Sequence, residues 1–145
     1  MIARPTFDLL KSNYRTLSTE IHACKMIFPN TCAIRMSEAL VRSDAAFLNI
    51  FKSSGKNICP DNYVRGAQDL GAVLASKAVF GVWNIGWNGK AGDAAPASIS
   101  GKKGIVCYMK IPGFAGQGHI DLGDGAEPVG QAYWDAATIW LWVLK

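Results

Sequence analysis

Apolar residues in the first half of the chain recur at helical spacing. Between residues 6 and 23 they return every three or four positions, and Thr6 can cap the start, which predicts a helix over 6–23. A second helix is predicted from Cys32 to about Ser43, after the break at 29–31. A third is predicted to be capped by Asp61 and to run through Leu74.

The pattern changes in the second half. Residues 81–101 are glycine-rich and irregular, which is typical of a long loop. Strands are predicted over 104–109, 119–122 and 137–143, with turns at 113–118 and 123–125. Helices followed by an antiparallel sheet predict an α+β fold.

Composition limits the possible classes of protein. The chain has 145 residues, of which 50% are hydrophobic and 18% are charged, so we expect a single folded domain over 1–145 rather than a disordered protein. No apolar run is long enough to cross a bilayer, so no membrane insertion is expected. The start lacks a signal peptide, which predicts synthesis in the cytoplasm. The net charge of +4 is scattered, and no nucleic-acid partner is expected.

Cys32 is the first candidate for chemistry. It stands at a predicted helix N-terminus, where unpaired backbone N–H groups and the helix dipole stabilise a thiolate. The competing interpretation is a buried cysteine that only fills space. The four cysteines form no C-x-x-C pair, so neither a metal site nor any other cofactor is predicted.

His119 is the second candidate. The chain has only two histidines, His22 and His119, and a nucleophilic cysteine needs one of them as its base. His119 and Asp121 point to the same side of a predicted strand, so the carboxylate could orient the imidazole. A strand-edge histidine that merely contacts water is the alternative.

The order of these residues has a known counterpart. A cysteine at a helix start and a histidine on a later strand is the layout of papain-like thiol peptidases. Several segments together resemble the fourth family of type VI secretion amidase effectors. They are Asn30–Ser37 (with Cys-x-Ile-Arg-Met-Ser), Gly101–Val106, Gly118–Leu122 and Trp140–Trp142.

The resemblance implies a fold, an activity and a set of partners. The fold would be papain-like, of the NlpC type, with N-terminal helices packed on a C-terminal antiparallel sheet. The activity would be hydrolysis of the bond between D-glutamate and meso-diaminopimelate in Gram-negative peptidoglycan peptides. Cys32 would be the nucleophile and His119 the general base. The secretion machinery would deliver the protein into a target bacterium's periplasm, and a cognate immunity protein would neutralise it.

The third catalytic residue departs from the family pattern. Members carry an aspartate on the strand after the histidine strand, and the corresponding position here is Gly130. Asp121 is the first substitute because its side chain is expected to point to the same side of the strand as that of His119. Gln131 is the second, since an amide oxygen can hold a ring tautomer. Asp124 and Asp135 are expected to be solvated.

Three further residues are candidates for substrate binding. Arg35 lies three residues after Cys32 on the same helix and could bind a carboxylate, or it could pair with an acid in the core. Trp83 and Trp87 could line a groove, or pack on the sheet. The remaining cysteines, Cys24, Cys59 and Cys107, are interpreted as structural, and two of them could form a disulfide.

Two other functions compete with the amidase. One is a different thiol enzyme on the same scaffold, such as a deamidating or transglutaminase-like toxin, which would use the same cysteine and histidine. The other is a non-catalytic module that grips the cell wall with aromatic side chains, for which a reactive thiol has no purpose.

Overall fold

The computed structural model describes residues 2–14, 24, 31–114, 116–125 and 127–145, and for 127–128 it describes the backbone alone. The described helices are α1 (Phe7–Asn13), α2 (Cys32–Ser43), α3 (Ala46–Lys52) and α4 (Ala67–Ala75), with a short 3-10 helix at Ala97–Ile99. The strands are β1 (Ile85–Trp87), β2 (Lys103–Met109), β3 (His119–Asp124), β4 (Glu127–Pro128) and β5 (Thr138–Val143).

The five strands form one antiparallel sheet in the order β1-β5-β2-β3-β4. Along the β2–β3 ladder, His119 pairs with Tyr108 and Asp121 pairs with Val106. Helices precede this sheet in the chain, so the predicted α+β class is confirmed.

The helices cover one face of the sheet. Apolar side chains of α1, α2 and α4 share a buried cluster, the helix-side cluster, with Ile105, Cys107, Ile120 and Trp142 of the strands. The alternate residues of β2 and β5, including Val106 and Tyr108, belong to a second cluster. Among the described residues, that second cluster is covered by the connections between strands, which include the 3-10 helix, rather than by an α-helix. The period-2 alternation of the strands therefore produces two separate apolar layers.

Two predicted helices are shorter than the sequence pattern indicates. Thr6 caps α1 as predicted, by accepting a hydrogen bond from the Leu9 N–H at 3.2 Å, but α1 ends at Asn13 because Tyr14 adopts an extended backbone. The rest of that predicted helix, 15–23, lies outside the described residues. Asp61 does not cap α4, which begins at Ala67 after Gly66; the chain before it instead forms a bridge between Ile58 and Val64.

Other elements were not predicted. Helix α3 follows α2 almost directly and buries Phe47 and Phe51. Strand β1 lies inside the stretch predicted to be irregular, and it needs only three residues to pair with β5. Strand β4 has two residues and pairs with the end of β3. Within the described ranges, no helix is long and apolar enough to traverse a bilayer.

A disulfide joins Cys24 to Cys59. Both cysteines are buried with Ile34 of α2, and Tyr63 packs against them. The bond therefore ties the chain before α2 to the loop before α4. It identifies which two of the cysteines interpreted as structural are paired.

Candidate active site

Cys32 is the first residue of α2, as its sequence position predicts. Thr31 precedes the helix, but its side chain makes no capping hydrogen bond to the first turn. The Thr31 hydroxyl instead accepts a hydrogen bond from Arg35 Nε at 3.3 Å. The Thr31 side chain thus leaves the first-turn N–H groups uncapped, and these groups place the positive end of α2 beside the thiol.

His119 is held at the start of β3 by the loop that precedes it. Gly118 has φ +120°, and a Cβ there would overlap the Tyr108 carbonyl oxygen, so only glycine allows β3 to approach β2 this closely. One residue earlier, the Gln117 side chain accepts a hydrogen bond from the Asp69 N–H at 2.9 Å and donates to the Asp69 carboxylate at 3.1 Å. The loop is therefore anchored to α4 just before the histidine.

His119 and Asp121 form a buried pair. His119 Nε2 lies 2.9 Å from Asp121 Oδ2, and the two residues are 5% and 1% exposed. The carboxylate also accepts hydrogen bonds from the Leu122 N–H at 2.8 Å and from the Gln131 N–H at 2.9 Å. These backbone donors fix the carboxylate, so its oxygen determines the orientation of the imidazole.

Gly130 makes room for this carboxylate. A Cβ at position 130 would overlap Asp121 Oδ2, so any side chain there would displace the oxygen that faces His119. The amide oxygen of the Gln131 side chain is engaged elsewhere, because Oε1 accepts a hydrogen bond from the Tyr133 hydroxyl at 2.8 Å. Of the two candidates for the third residue, Asp121 is thus the one beside His119, and Gln131 contributes a backbone N–H.

The electrostatics of His119 follow from these contacts. Burial alone would lower its pKa, but hydrogen bonds with Asp121 and Cys32, together with their negative charges, raise the pKa of His119 to about 9. Since Nε2 faces Asp121, Nδ1 is the ring nitrogen left for Cys32. The structure therefore brings Cys32, His119 and Asp121 together, in a setting that favours imidazolium at neutral pH.

Aromatic rings surround the imidazole. Tyr108 stacks on His119 with centroids 6.1 Å apart, and Tyr133 meets it edge-on at 5.3 Å. Tyr133 is only partly buried, and its pKa is raised by burial and by the negative charges at Cys32 and Asp121. Tyr133 therefore lines the side of the site that is nearest to solvent.

The three predicted substrate contacts lie in different environments. Arg35 is 7% exposed, and its guanidinium carbon lies 5.8 Å from the centre of the Tyr14 ring. Trp83 stacks on Trp140 at 3.9 Å and packs against the helix-side cluster. Trp87 packs with the cluster that contains Tyr108, on the side of the sheet nearest His119.

Other residues that could support chemistry do not join the site. Cys107 is a free, fully buried thiol that donates to the Ala67 carbonyl at 3.4 Å, and burial raises its pKa. Among the described residues, no group of three histidine, cysteine or acidic side chains could hold a metal ion. The second histidine, His22, and Asn30 of the cysteine segment lie outside the described residues.

Comparison with known families identifies the chain. The profile of type VI secretion system amidase effector protein 4 (Tae4) matches residues 28–142, which include Cys32, His119 and Asp121. The chain belongs to this family. The effector is accordingly an amidase of the type VI secretion system. No curated protein sequence matches it significantly.

Solved structures share the fold of the effector. One is the Tae4–Tai4 effector–immunity complex from Salmonella Typhimurium, with 22% identity, a TM-score of 0.73, and coverage of 99% of this chain and 100% of that chain. Another is Tae4 from Enterobacter cloacae, with 21% identity, a TM-score of 0.72, and coverage of 99% and 98%. The likeness extends over nearly the whole chain.

Sequence reasoning missed two residues that shape the effector's site. Gly130 was noted only as the absence of an aspartate, although its missing side chain is what Asp121 requires. Tyr133 received no role, because the sequence does not reveal which aromatic ring packs on a given histidine. The clue available for Gly130 is its position beside Gln131, on the connection that follows β4.

Proposed function

We propose that this effector is a cysteine amidase on a papain-like scaffold. Cys32 is its nucleophile, His119 its general base and acid, and Asp121 the residue that orients His119. Its substrate is the peptide of Gram-negative peptidoglycan, cleaved between D-glutamate and meso-diaminopimelate. The family assignment supports an amidase, and the resemblance of the cysteine and histidine segments supports this bond as the target.

One observation carries the proposal: a continuous contact from Cys32 through His119 to Asp121. Cys32 hydrogen-bonds the imidazole, and the opposite ring nitrogen lies 2.9 Å from Asp121 Oδ2. A nucleophile, a base within hydrogen-bond reach and a third group that orients the base are the parts that covalent catalysis requires. The site is mostly shielded from water, which strengthens each of these interactions.

Acylation begins from a thiolate–imidazolium pair. The Cys32 sulfur attacks the carbonyl carbon of the D-glutamyl amide, and the carbonyl oxygen becomes negative. Backbone N–H groups of the first turn of α2 can donate to that oxygen, since the Thr31 side chain does not cap them. His119 gives its proton to the nitrogen of diaminopimelate, the carbon–nitrogen bond breaks, and a thioester remains on Cys32.

Deacylation uses the same residues in reverse roles. Neutral His119 removes a proton from water, and the resulting hydroxide attacks the thioester carbon. The carbon–sulfur bond then breaks, which releases the D-glutamyl carboxylic acid and restores the thiolate beside imidazolium; the acid loses its proton to solvent. Asp121 keeps Nε2 engaged throughout, so that Nδ1 stays directed at the sulfur.

The substrate contacts and partners complete the proposal. Trp87 lies on the His119 side of the sheet and is our candidate substrate contact, whereas the packing of Arg35 and Trp83 favours a structural role for those two. The secretion machinery delivers the effector to the periplasm of a target bacterium. A cognate immunity protein blocks it, as the Tai4 proteins accompany Tae4 in the solved complexes.

Purified muropeptides provide the test. We expect mass spectrometry to show products with a free D-glutamate carboxyl group and a free diaminopimelate amine. Cys32→Ala should abolish these products, whereas Cys107→Ala, which removes the other free thiol, should retain them. Full cleavage by Cys32→Ala would overturn the mechanism.

The same assay separates the competing functions. A deamidase would replace an amide nitrogen by oxygen without splitting the peptide. A transglutaminase-like enzyme would join an added amine to the substrate. A binding module would retain muropeptides without altering their mass, and its binding would not depend on Cys32.

A further inference from the structure

Tyr14 is a buried tyrosine outside the proposed catalytic triad. It directly follows α1, is 7% exposed, and packs in the helix-side cluster with Cys32, Phe7 and Leu10. Among the described residues, its hydroxyl is the one buried side-chain polar atom that makes no hydrogen bond of normal geometry. Burying a hydroxyl without a partner destabilises a protein, so such a group calls for a functional explanation.

The surroundings of the Tyr14 hydroxyl are those of the proposed active site. The Asp121 carboxylate of β3 faces it, and from α2 the Arg35 guanidinium and the Cys32 sulfur lie close enough to act on its charge. The Arg35 guanidinium carbon is 5.8 Å from the Tyr14 ring centroid. Burial first, then the negative charge of Asp121 and a hydrogen-bonding contact with its carboxylate, raise the pKa of Tyr14, and the charge of Arg35 opposes them. The hydroxyl therefore keeps its proton and can donate it to the carboxylate.

Asp121 has room for one more donor. Its Oδ2 accepts from the Gln131 N–H and faces His119 Nε2, whereas Oδ1 accepts from the Leu122 N–H. A carboxylate offers about four lone-pair sites, so one of them is unused by these contacts. Hydrogen bonds at active sites are often long in the free enzyme and shorten as charge develops.

We propose that Tyr14 is a positioning residue, whose hydroxyl donates to the Asp121 carboxylate during the reaction and keeps Oδ2 on His119 Nε2. The inference rests on the proposed function and extends it to α1. It explains why a hydroxyl without a hydrogen bond of normal geometry is buried beside the Asp121 carboxylate. It also predicts that removing the oxygen alone weakens catalysis without weakening the fold.

Tyr14→Phe tests this inference, because it removes one oxygen and keeps the ring. We expect kcat on muropeptides to fall about tenfold, the effect of losing one hydrogen bond in the transition state, with KM unchanged. The Tm should stay the same or rise, since the buried hydroxyl that is removed makes no hydrogen bond of normal geometry in the free protein. Tyr63 lies beside the disulfide, so Tyr63→Phe is the matched control and should retain kcat.

A second measurement does not require substrate. The proton between His119 Nε2 and Asp121 should give a far-downfield proton NMR signal, and Tyr14→Phe should shift or broaden that signal, whereas Tyr63→Phe should not. If kcat stays within about twofold of the wild type, or if the signal is unchanged, the inference is overturned. If the wild-type protein cleaves no muropeptide, the proposed function fails by itself, and the NMR signal alone decides the role of Tyr14.

Discussion

The two free cysteines of this chain occupy contrasting regions. Cys107 lies in the middle of β2, where it is fully buried and donates to the Ala67 carbonyl. Cys32 is almost as buried, at 3% exposure, but it opens α2 and hydrogen-bonds His119. Burial is therefore common to both, and the difference is the presence of groups that stabilise a thiolate.

This difference shows what the fold supplies to a reactive thiol. In the Cys107 region, burial opposes ionisation, and it raises the pKa of that thiol. In the Cys32 region, a helix N-terminus and an imidazole meet because β3 runs beside the start of α2. Removing or perturbing one of the groups that distinguish the two regions should therefore change the reactivity of Cys32 or the rate of catalysis.

The largest effect is expected from Asp121→Asn. The substitution removes a hydrogen bond and a negative charge that raise the pKa of His119, so that pKa should fall below its present value of about 9. We expect kcat/KM to drop on the order of a thousandfold, because an amide can hold the wrong tautomer of the ring. The measurement is the pH profile of muropeptide cleavage.

The sign of the pH shift is decisive. Activity that depends on imidazolium should decline as the pH rises through about 9 in the wild type, and at a lower pH in Asp121→Asn. Because the pKa of His119 is raised in the folded state, the same group should stabilise the fold below about 6.5, and this stability should be lost as the pH rises through about 9. An unmoved alkaline limb would contradict the role given to Asp121.

The next effect concerns the two thiols directly. Iodoacetamide should modify Cys32 at least about a hundredfold faster than Cys107 at neutral pH, because thiolate is the reactive form. His119→Ala should bring the two rates closer, since it removes the imidazolium that pairs with Cys32. Peptide mapping by mass spectrometry measures both rates in one sample. Equal rates in the wild-type protein would contradict an activated Cys32.

The fold was predictable where apolar residues keep one periodicity, helical or strand-like, along a whole element. The α2 bounds and the strands at 104–109 and 119–122 follow from such patterns, and the structure confirms them to within a few residues. The pattern overextended α4 toward Asp61 because the apolar residues Tyr63 and Val64 continue the helical spacing, although Val64 pairs with Ile58 in a bridge. Short elements such as β1 depend on a distant partner, so local sequence does not reveal them.

The site was predictable only in part, for a related reason. Cys32 stands out because it begins a predicted helix, and His119 stands out because the chain has only two histidines. The choice between Asp121 and Gln131 depends on where the connection after β4 returns, which no local pattern encodes. Tyr14, which directly follows α1, comes close to Asp121 only because α1, α2 and β3 pack together, and local sequence does not reveal that packing.

Gly130→Ala should have an intermediate effect. A Cβ at this position overlaps Asp121 Oδ2, so the carboxylate must shift away from His119. We expect a loss of roughly ten- to a hundredfold in kcat/KM, the cost of displacing a catalytic group by a fraction of an ångström to one ångström. Gly92→Ala is the control, since a Cβ there meets nothing within 4 Å although φ is +84°. Equal activity losses in both variants would mean that general backbone strain explains the effect.

Gln131→Ala should have the smallest effect, and it decides what Gln131 contributes. The variant keeps the backbone N–H that donates to Asp121 and removes the side chain that accepts from Tyr133. If the backbone is what matters, kcat/KM should change by about threefold or less, the effect of a partly exposed hydrogen bond. A loss as large as that of Asp121→Asn would instead make the amide oxygen the group that holds His119. The same kinetic assay thus separates two residues that the sequence could not, because both contact the same carboxylate network but only one does so through its side chain.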